Sequence, residues 1–333
     1  MQYGPIATES PLVLSPMAGY TDHPFRLLCR EQGAALVCTE LLSSTAMWFG
    51  SERTGEMMDF TEEERPVGVQ IFGADPVQMA FAARKVTERG PDYIDINLGC
   101  SVPKVVKSGA CSALTKDPER LRAVFQAVVS STHLPVSAKM RKGWDEDDVS
   151  APWISEMCQE LGLCAVTIHG RTAREGFTGT ADWDIVRHVK SLVTIPVLGS
   201  GDLRTPDDVK RRMEESGCDG VMIGRAAMGD PWFFARTNHF LQTGEDPPPT
   251  PPSARLSLMR RHLRMSVEHR GEHVGVVTFR SQVAAYCRRI PGGRRLRDAV
   301  MRMDRWQDID AMLYDYEQAS IEGSEIEEGG EVE

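Results

Sequence analysis

The chain has 333 residues, of which 41% are hydrophobic, and a formal net charge of −10 at pH 7. This length accommodates one large barrel or a domain with a smaller companion, and no apolar run approaches the ~20 residues of a membrane span. The eight cysteines include no Cys-x-x-Cys pair, and no histidines stand at zinc spacing, which argues against a structural metal site or a disulfide framework. Residues 1–10 lack the basic stretch followed by an apolar stretch that marks a secretory signal, so we expect a cytoplasmic protein. We also expect a monomer that has no bound metal and no membrane partner.

Short β-rich runs alternate with amphipathic segments along the first 240 or so residues. Helices are predicted at 76–89, 118–131, 149–161, 183–192 and 206–216, and several begin with a capping residue directly before proline, as in Asp75-Pro76. Eight units at even spacing favour a parallel (β/α)₈ TIM barrel, with an open doubly wound sheet as the alternative. The strands are predicted at 12–15, 36–39, 67–72, 93–97, 136–139, 165–169, 196–199 and 220–224.

The last quarter of the sequence differs in composition from the barrel region. Residues 245–253 are rich in proline and predict a stiff extended connector. Helical periodicity follows at 254–270, 275–289 and 294–303, and the last residues lack apolar content. We therefore expect a catalytic barrel over 1–244, a linker over 245–253, a small C-terminal helical domain over 254–320 and a disordered acidic tail over 321–333.

Positive charge is concentrated in that helical region. Thirteen arginines, no lysine and four acidic residues lie between Arg255 and Arg305, whereas residues 306–333 contain ten acidic residues and no lysine or arginine. An arginine-rich segment on an acidic protein is typical of phosphate contacts with nucleic acid. The alternative is a solvated helix face, or one that is paired with the acidic tail.

Polar groups follow most of the predicted strands at one end of the barrel. Cys100 comes after the fourth strand in a glycine turn, where a thiol can act as nucleophile, metal ligand or proton donor, or merely fill space. The glycine-rich turns after strands seven and eight are where barrels commonly bind phosphate. Lys139 would stabilise the negative charge of a reduced flavin ring, and Gln70 would hydrogen-bond the pyrimidine edge of that ring. This end of the barrel is therefore suited to binding flavin mononucleotide (FMN).

Six motifs in chain order resemble those of the tRNA-dihydrouridine synthase family, in particular its bacterial B-type branch, over about residues 12–303. The motifs are Ser15-Pro16-Met17-Ala18-Gly19, Asp95-Ile96-Asn97-Leu98-Gly99-Cys100, Lys139-Met140-Arg141, His169-Gly170-Arg171-Thr172, Gly179-Thr180-Ala181-Asp182-Trp183 and Ile223-Gly224-Arg225. The chain departs from the family pattern at Ser101, where proline is usual, and at Ser200, where asparagine is usual.

The resemblance implies an FMN-dependent barrel whose helical domain binds tRNA. It assigns Asn97 and Arg171 to orienting the uracil, Arg280 to contacting RNA and Cys100 to donating a proton. It assigns FMN binding to Pro16, Met17, Ala18, Gln70, Lys139, His169, Ser200, Gly201, Asp202, Gly224 and Arg225.

The function implied is the reduction of specific uridines in tRNA to 5,6-dihydrouridine with NADPH or NADH. A uridine flipped out of the RNA would receive a hydride at C6 from N5 of the flavin and a proton at C5 from Cys100. An unperturbed thiol pKa of ~8.5 would keep Cys100 protonated at neutral pH. The alternatives are an FMN-dependent reductase of a small pyrimidine or enone, as in dihydroorotate dehydrogenases, and a non-catalytic RNA-binding protein.

Overall fold

A computed structural model of the protein describes residues 1–322. Its main sheet contains eight parallel strands that alternate with helices along the chain. All eight lie within about two residues of the positions predicted from the sequence. They are β1 (Leu12–Leu14), β2 (Val37–Cys38), β3 (Val67–Phe72), β4 (Tyr93–Leu98), β5 (Val136–Arg141), β6 (Ala165–His169), β7 (Val197–Ser200) and β8 (Gly220–Ile223).

The sheet closes on itself. Each strand from β2 to β8 pairs in parallel with the next, and β8 pairs with β1 through Ile223 and Leu14. The circle is completed by a parallel bridge between Val13 of β1 and Leu36. The predicted (β/α)₈ barrel is therefore confirmed. An additional short strand, Leu42–Ser43, pairs in parallel with β3.

Apolar side chains fill the N-terminal end of this barrel. A short antiparallel ribbon, Gln2–Tyr3 with Ile6–Ala7, places the Tyr3 ring 5.3 Å from the Tyr93 ring in an edge-to-face arrangement. Both rings belong to a buried cluster with Val13, Leu36, Cys38, Ala165, Leu198 and Met222. The strands of the barrel terminate at the end opposite this cluster.

The helices of the barrel unit begin where the capping chemistry predicts. The Asp75 carboxylate accepts hydrogen bonds from the N–H groups of Val77 and Gln78 at the start of one helix. The buried face of the same helix includes Met79 and Val86. The helices at 23–31, 44–48, 52–56, 103–106 and 233–243 were not predicted from the sequence. The full set is α1 (His23–Glu31), α2 (Ser44–Trp48), α3 (Glu52–Glu56), α4 (Pro76–Arg89), α5 (Pro103–Val106), α6 (Pro118–Val129), α7 (Ala151–Glu160), α8 (Asp184–Leu192), α9 (Pro206–Ser216) and α10 (Phe233–Thr243).

Residues 227–232 and 247–322 form a second compact unit. It contains α11 (Pro252–Arg270), α12 (Glu272–Cys287), α13 (Gly293–Val300) and α14 (Trp306–Glu322). Helix α14 was not predicted from the sequence, and its Ile309 and Leu313 are fully buried. Its acidic face pairs with α11, because Arg260 contacts Asp310 at 2.9 Å and Glu317 at 2.8 Å.

The predicted acidic tail lies outside the described residues, except for 321 and 322, which are helical. Within residues 1–322, no helix is both long enough and apolar enough to cross a membrane.

Candidate active site

The turn after β4 is built around the side chain of Asn97. Its amide oxygen accepts hydrogen bonds from the N–H groups of Gly99 (2.9 Å) and Cys100 (3.0 Å), so it caps the end of the strand. Its amide nitrogen donates to Gln70 Oε1 at 2.7 Å. The capped turn carries Cys100 beyond the strand end, where the residue is partly exposed.

A buried chain of hydrogen bonds continues from Asn97 into the barrel. Gln70 Nε2 donates to Asp95 at 2.7 Å, and the hydroxyl of Ser137 donates to the same carboxylate at 2.6 Å. Gln70 has no exposed surface. Its amide therefore serves this network, and the predicted contact with a flavin ring stays a prediction. Neither Asp95 nor Ser137 was a predicted site residue, although a carboxylate in the middle of a buried strand was a usable signal.

Lys139 and Asn97 are neighbours across β4 and β5 in the strand register. Desolvation, followed by the nearby charge of Arg141, lowers the pKa of Lys139 to about 8, although Asp95 opposes the shift. Among residues 1–322, the Lys139 ammonium has no hydrogen-bond or ion-pair partner. A partly buried cation without a counterion is a candidate site for an anionic group.

His169, at the end of β6, is neutral at all ordinary pH values. Burial and the charges of Lys139, Arg141, Arg171 and Arg225 together lower its pKa to about 2. In the strand register it lies beside Arg141 of β5 and Ser200 of β7. Four cations near one neutral imidazole make this rim strongly electropositive.

Cys100 differs from the sequence-based expectation in its acidity. A hydrogen bond from the Cys111 side chain is the largest influence on the pKa of Cys100. Together with the Val102 N–H and the charge of Arg141, it lowers that pKa to about 6 against the effect of burial. This pKa lies below the ~8.5 of an unperturbed thiol on which the sequence-based expectation rested, and the sequence does not identify Cys111 as the partner that contributes most to the difference.

Arg141 ties together the two loops that border the thiol. Its Nε donates to the Gly99 carbonyl at 2.9 Å, and its Nη1 donates to the carbonyls of Thr172 (2.9 Å) and Gly176 (2.8 Å). Its guanidinium also lies 5.5 Å from the centre of the Phe177 ring. Arg141 belongs to the Lys139-Met140-Arg141 motif but was not a predicted site residue.

Asp202 holds two of the predicted site residues in one ion-pair network. Arg171 donates to it at 2.6 Å, and Arg225 donates to it at 3.2 Å. Arg171 is only 1% exposed and also donates to the Thr178 and Gly179 carbonyls. Its Nη1 is buried and has no hydrogen-bond partner within the described chain. The guanidinium thus organises the loop after β6 and keeps one donor available.

The backbone after β7 and β8 leaves little room for side chains. Gly201 has φ +122°, and a Cβ added there would lie 2.6 Å from that of Ala181. A Cβ on Gly224 would lie 3.4 Å from Met17 Sδ, which brings the β1 and β8 turns together. Ser200 donates to the Met222 carbonyl at 3.1 Å, while Pro16 and Met17 are partly buried and Ala18 is exposed.

These observations fit the donor set that a flavin nucleotide requires. The unpaired Lys139 ammonium suits an anionic ring, the exposed Arg225 suits a phosphate, and the Arg171 Nη1 without a hydrogen-bond partner in the described chain keeps a donor available for the substrate base. The narrow glycine turns allow backbone to approach such a ligand closely.

Comparison with known proteins identifies the family. The sequence profile of the dihydrouridine synthase family matches residues 13–320. The tRNA-dihydrouridine synthase B of Xanthomonas axonopodis pv. citri is 38% identical over 324 residues, covering 97% of each chain. The tRNA-dihydrouridine synthase B of Pseudomonas aeruginosa is 37% identical over 311 residues, covering 93% of each chain. The chain belongs to the dihydrouridine synthase family. The resemblance drawn from the motifs is thereby confirmed.

Solved structures with the same fold are more distant in sequence from this dihydrouridine synthase family member. Histamine dehydrogenase from Rhizobium sp. 4-9 aligns with a TM-score of 0.53 at 14% identity, over 85% of this chain and 50% of the other. A variant of NCR from Zymomonas mobilis aligns with a TM-score of 0.50 at 13% identity, over 72% and 89%. At these identities the alignments show the fold alone.

In the helical unit of this family member, many arginines are already paired. Arg280 donates to the Met303 carbonyl and to Asp304, the latter at 2.8 Å, so its role in RNA binding stays a prediction. Ion pairs within the unit also involve Arg255, Arg260, Arg264, Arg289 and Arg297.

A second group of arginines is exposed and has no ion-pair partner among residues 1–322. Its members are Arg288, Arg294, Arg302 and Arg305. The hydrogen bond from Arg297 lowers the pKa of Asp298, and the charges of Arg294 and Arg302 lower it further. These guanidinium groups therefore lie around the Asp298 carboxylate. We call Arg294, Arg297 and Arg302 the α13 arginine cluster.

Proposed function

We propose that this protein reduces uridines of tRNA to 5,6-dihydrouridine with bound FMN, using NADPH or NADH as the reductant. The observation that carries the proposal is the grouping of Cys100, Asn97 and Lys139 at the ends of β4 and β5. This group supplies an acid, an amide and an unpaired cation at one end of the barrel. The relatives of the chain are named for this reaction.

The residues that would hold FMN are those at the ends of β5 to β8. Lys139 would lie against the ring, and Arg225 and His169 would contact the phosphate end, with Met17 and the backbone of Gly201 and Gly224 closing the cradle, while Arg171 and Asn97 would orient the uracil. Gln70, Ser200, Pro16 and Ala18 remain predicted contributors. When bound, FMN supplies the hydride for C6 of the uracil.

Cys100 in its protonated form, which is the minority species at neutral pH because its pKa is lowered to about 6, would complete the reduction by giving its proton to C5, so that the S–H bond breaks as the C–H bond forms. Hydride arrival leaves negative charge on the C4 carbonyl of the base. Lys139 and Arg141 are the cations nearest to Asn97 and Cys100, and they would stabilise that charge. Because a stacked base covers its own face, the uridine must leave the RNA stack first.

A reconstituted assay tests the proposal. The purified protein, supplied with FMN and either NADPH or NADH, is incubated with unmodified tRNA, and nucleosides are analysed by mass spectrometry. We expect dihydrouridine in the tRNA sample and none when the reductant is omitted. Turnover of orotate or a small enone without any action on tRNA would instead support the small-substrate alternative.

Replacement of Lys139 by methionine should slow dihydrouridine formation about 10²–10³-fold, the usual cost of one preorganised electrostatic contact. The charge is present at pH 7 and is lost as the pH rises through about 8, so the wild-type rate should decline there as well. Lys142→Met is the control, because Lys142 is neutralised by Glu146 at 2.7 Å and Asp182 at 3.1 Å. Single-turnover rates that are equal for the two variants would contradict the assignment.

Replacement of Arg294 and Arg302 by alanine should weaken tRNA binding by removing two phosphate contacts. The plot of log affinity against log salt concentration between 50 and 200 mM should become shallower by about one unit per lost contact. Arg264→Ala is the matched control, because that exposed guanidinium is paired with Asp310 at 2.7 Å. An unchanged salt slope in the double variant would exclude the α13 arginine cluster from RNA binding.

A further inference from the structure

Four side chains on β3, β4 and β5 form one continuous series of hydrogen bonds, which we call the Asp95 network. The Ser137 hydroxyl donates to one oxygen of Asp95 at 2.6 Å, and Gln70 Nε2 donates to the other oxygen at 2.7 Å. Gln70 Oε1 in turn accepts from Asn97 Nδ2 at 2.7 Å. Ser137 and Gln70 have no exposed surface and Asp95 is 2% exposed, whereas Asn97 is half-buried. The network therefore begins in the barrel interior and ends on Asn97.

The hydrogen bonds of this network have one consistent direction. A carboxylate can only accept hydrogen bonds, so Asp95 requires the NH₂ group of Gln70, and the Gln70 carbonyl is left to face Asn97. That carbonyl requires the NH₂ group of Asn97, which turns the Asn97 oxygen toward the backbone. There the oxygen accepts from the N–H groups of Gly99 and Cys100. Both ends of the network therefore impose the same orientation on the two amides.

This orientation limits what Asn97 can offer to a ligand. Its oxygen already accepts two hydrogen bonds, which occupy both lone pairs, and one of its two amide hydrogens is held by Gln70. Within residues 1–322 the second amide hydrogen has no partner, and it belongs to the most exposed member of the network. Toward a bound base, Asn97 is therefore a hydrogen-bond donor and not an acceptor.

We propose that Asp95 is a positioning residue for substrate choice: through Gln70 it fixes Asn97 as a donor toward the flipped base, which favours uracil over cytosine. This inference deepens the proposed function and rests on it. Uracil has a carbonyl oxygen at C4, which accepts from the remaining Asn97 N–H, whereas cytosine has an amino group there. An amino group that faces an N–H leaves two donors without an acceptor.

Exchanging the two end groups reverses the network without shortening it. In Asn97→Asp the carboxylate still accepts from the Gly99 and Cys100 N–H groups, but Gln70 then lies between two carboxylates and its carbonyl has no donor. Adding Asp95→Asn supplies that donor, because Gln70 can turn over, donate to position 97 and accept from position 95. The double variant keeps the net charge and the number of hydrogen bonds, but it offers the base an acceptor in place of a donor.

Urea titration of the apoprotein measures the coupling without RNA or turnover. We expect Asn97→Asp to lower the urea midpoint, and we expect the double variant to recover most of the loss. Asp95→Asn alone should stay near the wild-type midpoint, because its carbonyl can accept from Gln70 while its NH₂ group donates to Ser137. A double variant that is no more stable than Asn97→Asp would overturn the inference.

The matched control combines Asn97→Asp with Glu175→Gln. Glu175 lies in the loop after β6 and accepts from the Thr172 N–H at 2.6 Å, so its replacement removes a carboxylate outside the Asp95 network. This control should recover none of the lost stability. Recovery equal to that of the double variant would show that removal of any nearby negative charge is sufficient, and it would overturn the assignment to Asp95.

Base preference gives the second readout. FMN-loaded proteins are offered competing unmodified tRNA transcripts that carry uridine or cytidine at a position that the wild-type protein reduces. The wild-type protein should prefer uridine about tenfold or more, and the double variant should lose or reverse this preference despite its restored stability. An unchanged preference would overturn the donor role of Asn97. If the wild-type protein formed no dihydrouridine, the proposed function would be rejected, while the urea titration would still decide whether Asp95 and Asn97 are coupled.

Discussion

Cys100→Ala should form dihydrouridine about 10²–10⁴-fold more slowly than the wild-type protein, the usual contribution of a positioned general acid. Its flavin content and its oxidation of NADPH or NADH should be unchanged, because the side chain contributes no charge to the Lys139 and Arg171 contacts. The measurement compares reductant consumption with dihydrouridine yield on unmodified tRNA.

The matched control for this variant is Cys164→Ala. Cys164 is also partly buried, but it precedes β6 and lies near Gly4 at the N-terminal end of the barrel. It should retain full activity. If Cys100→Ala kept the wild-type yield, another group would have to deliver the proton to C5.

Asp202→Ala should lower the free energy of unfolding by about 3–5 kcal/mol, the usual cost of leaving a buried charge without its partner. Arg171 is 1% exposed and depends on Asp202 at 2.6 Å, while the Ala181 N–H also donates to this carboxylate at 2.8 Å. The loop after β6 should loosen, and flavin occupancy should fall with it. Denaturant titration followed by circular dichroism, together with the flavin-to-protein ratio, measures both effects.

Two further variants separate the causes. Arg204→Ala removes an exposed guanidinium that is 3.9 Å from the same carboxylate and should change stability by less than about 0.5 kcal/mol. The loss of stability in Asp202→Asn should lie between those of Asp202→Ala and Arg204→Ala, because asparagine tolerates the φ of +53° and still accepts a hydrogen bond. A loss below 0.5 kcal/mol in Asp202→Ala would show that Arg171 does not need this counterion.

This ion pair also predicts a pH dependence of stability. Burial raises the pKa of Asp202, but the hydrogen bonds from Arg171 and Ala181, with the charges of Arg171 and Arg225, lower it on balance. The pKa of Asp202 is lower in the folded state than in the unfolded state. The stabilisation is therefore complete above the unfolded-state pKa of ~3.9 and is lost as the pH falls through the folded-state pKa.

The barrel could be predicted from the sequence because its signals are local. Each strand is a short apolar run, and caps such as Asp75 before Pro76 mark where a helix begins. The members of the polar rim could be predicted as well, since parallel strands bring Asn97, Lys139 and His169 to the same end. Periodicity and topology were sufficient for this level of description.

The contacts among those residues could not be predicted, because they depend on side chains that are distant in sequence. Nothing in the spacing shows that Ser112 is hydrogen-bonded back to the Cys100 carbonyl, or that Gln70 is enclosed by Asp95 and Asn97. The arginine count likewise overstated the surface available to RNA. The unpredicted helix α14 neutralises Arg260 and its neighbour Arg264.

The most direct test of the central claim is the dihydrouridine map of tRNA from cells that lack this protein. We expect defined uridines to lose the modification, and expression of the wild-type chain, but not of Cys100→Ala, to restore it. A map that is identical in cells with and without the protein, in the absence of another enzyme acting on the same positions, would contradict its assignment as a tRNA uridine reductase.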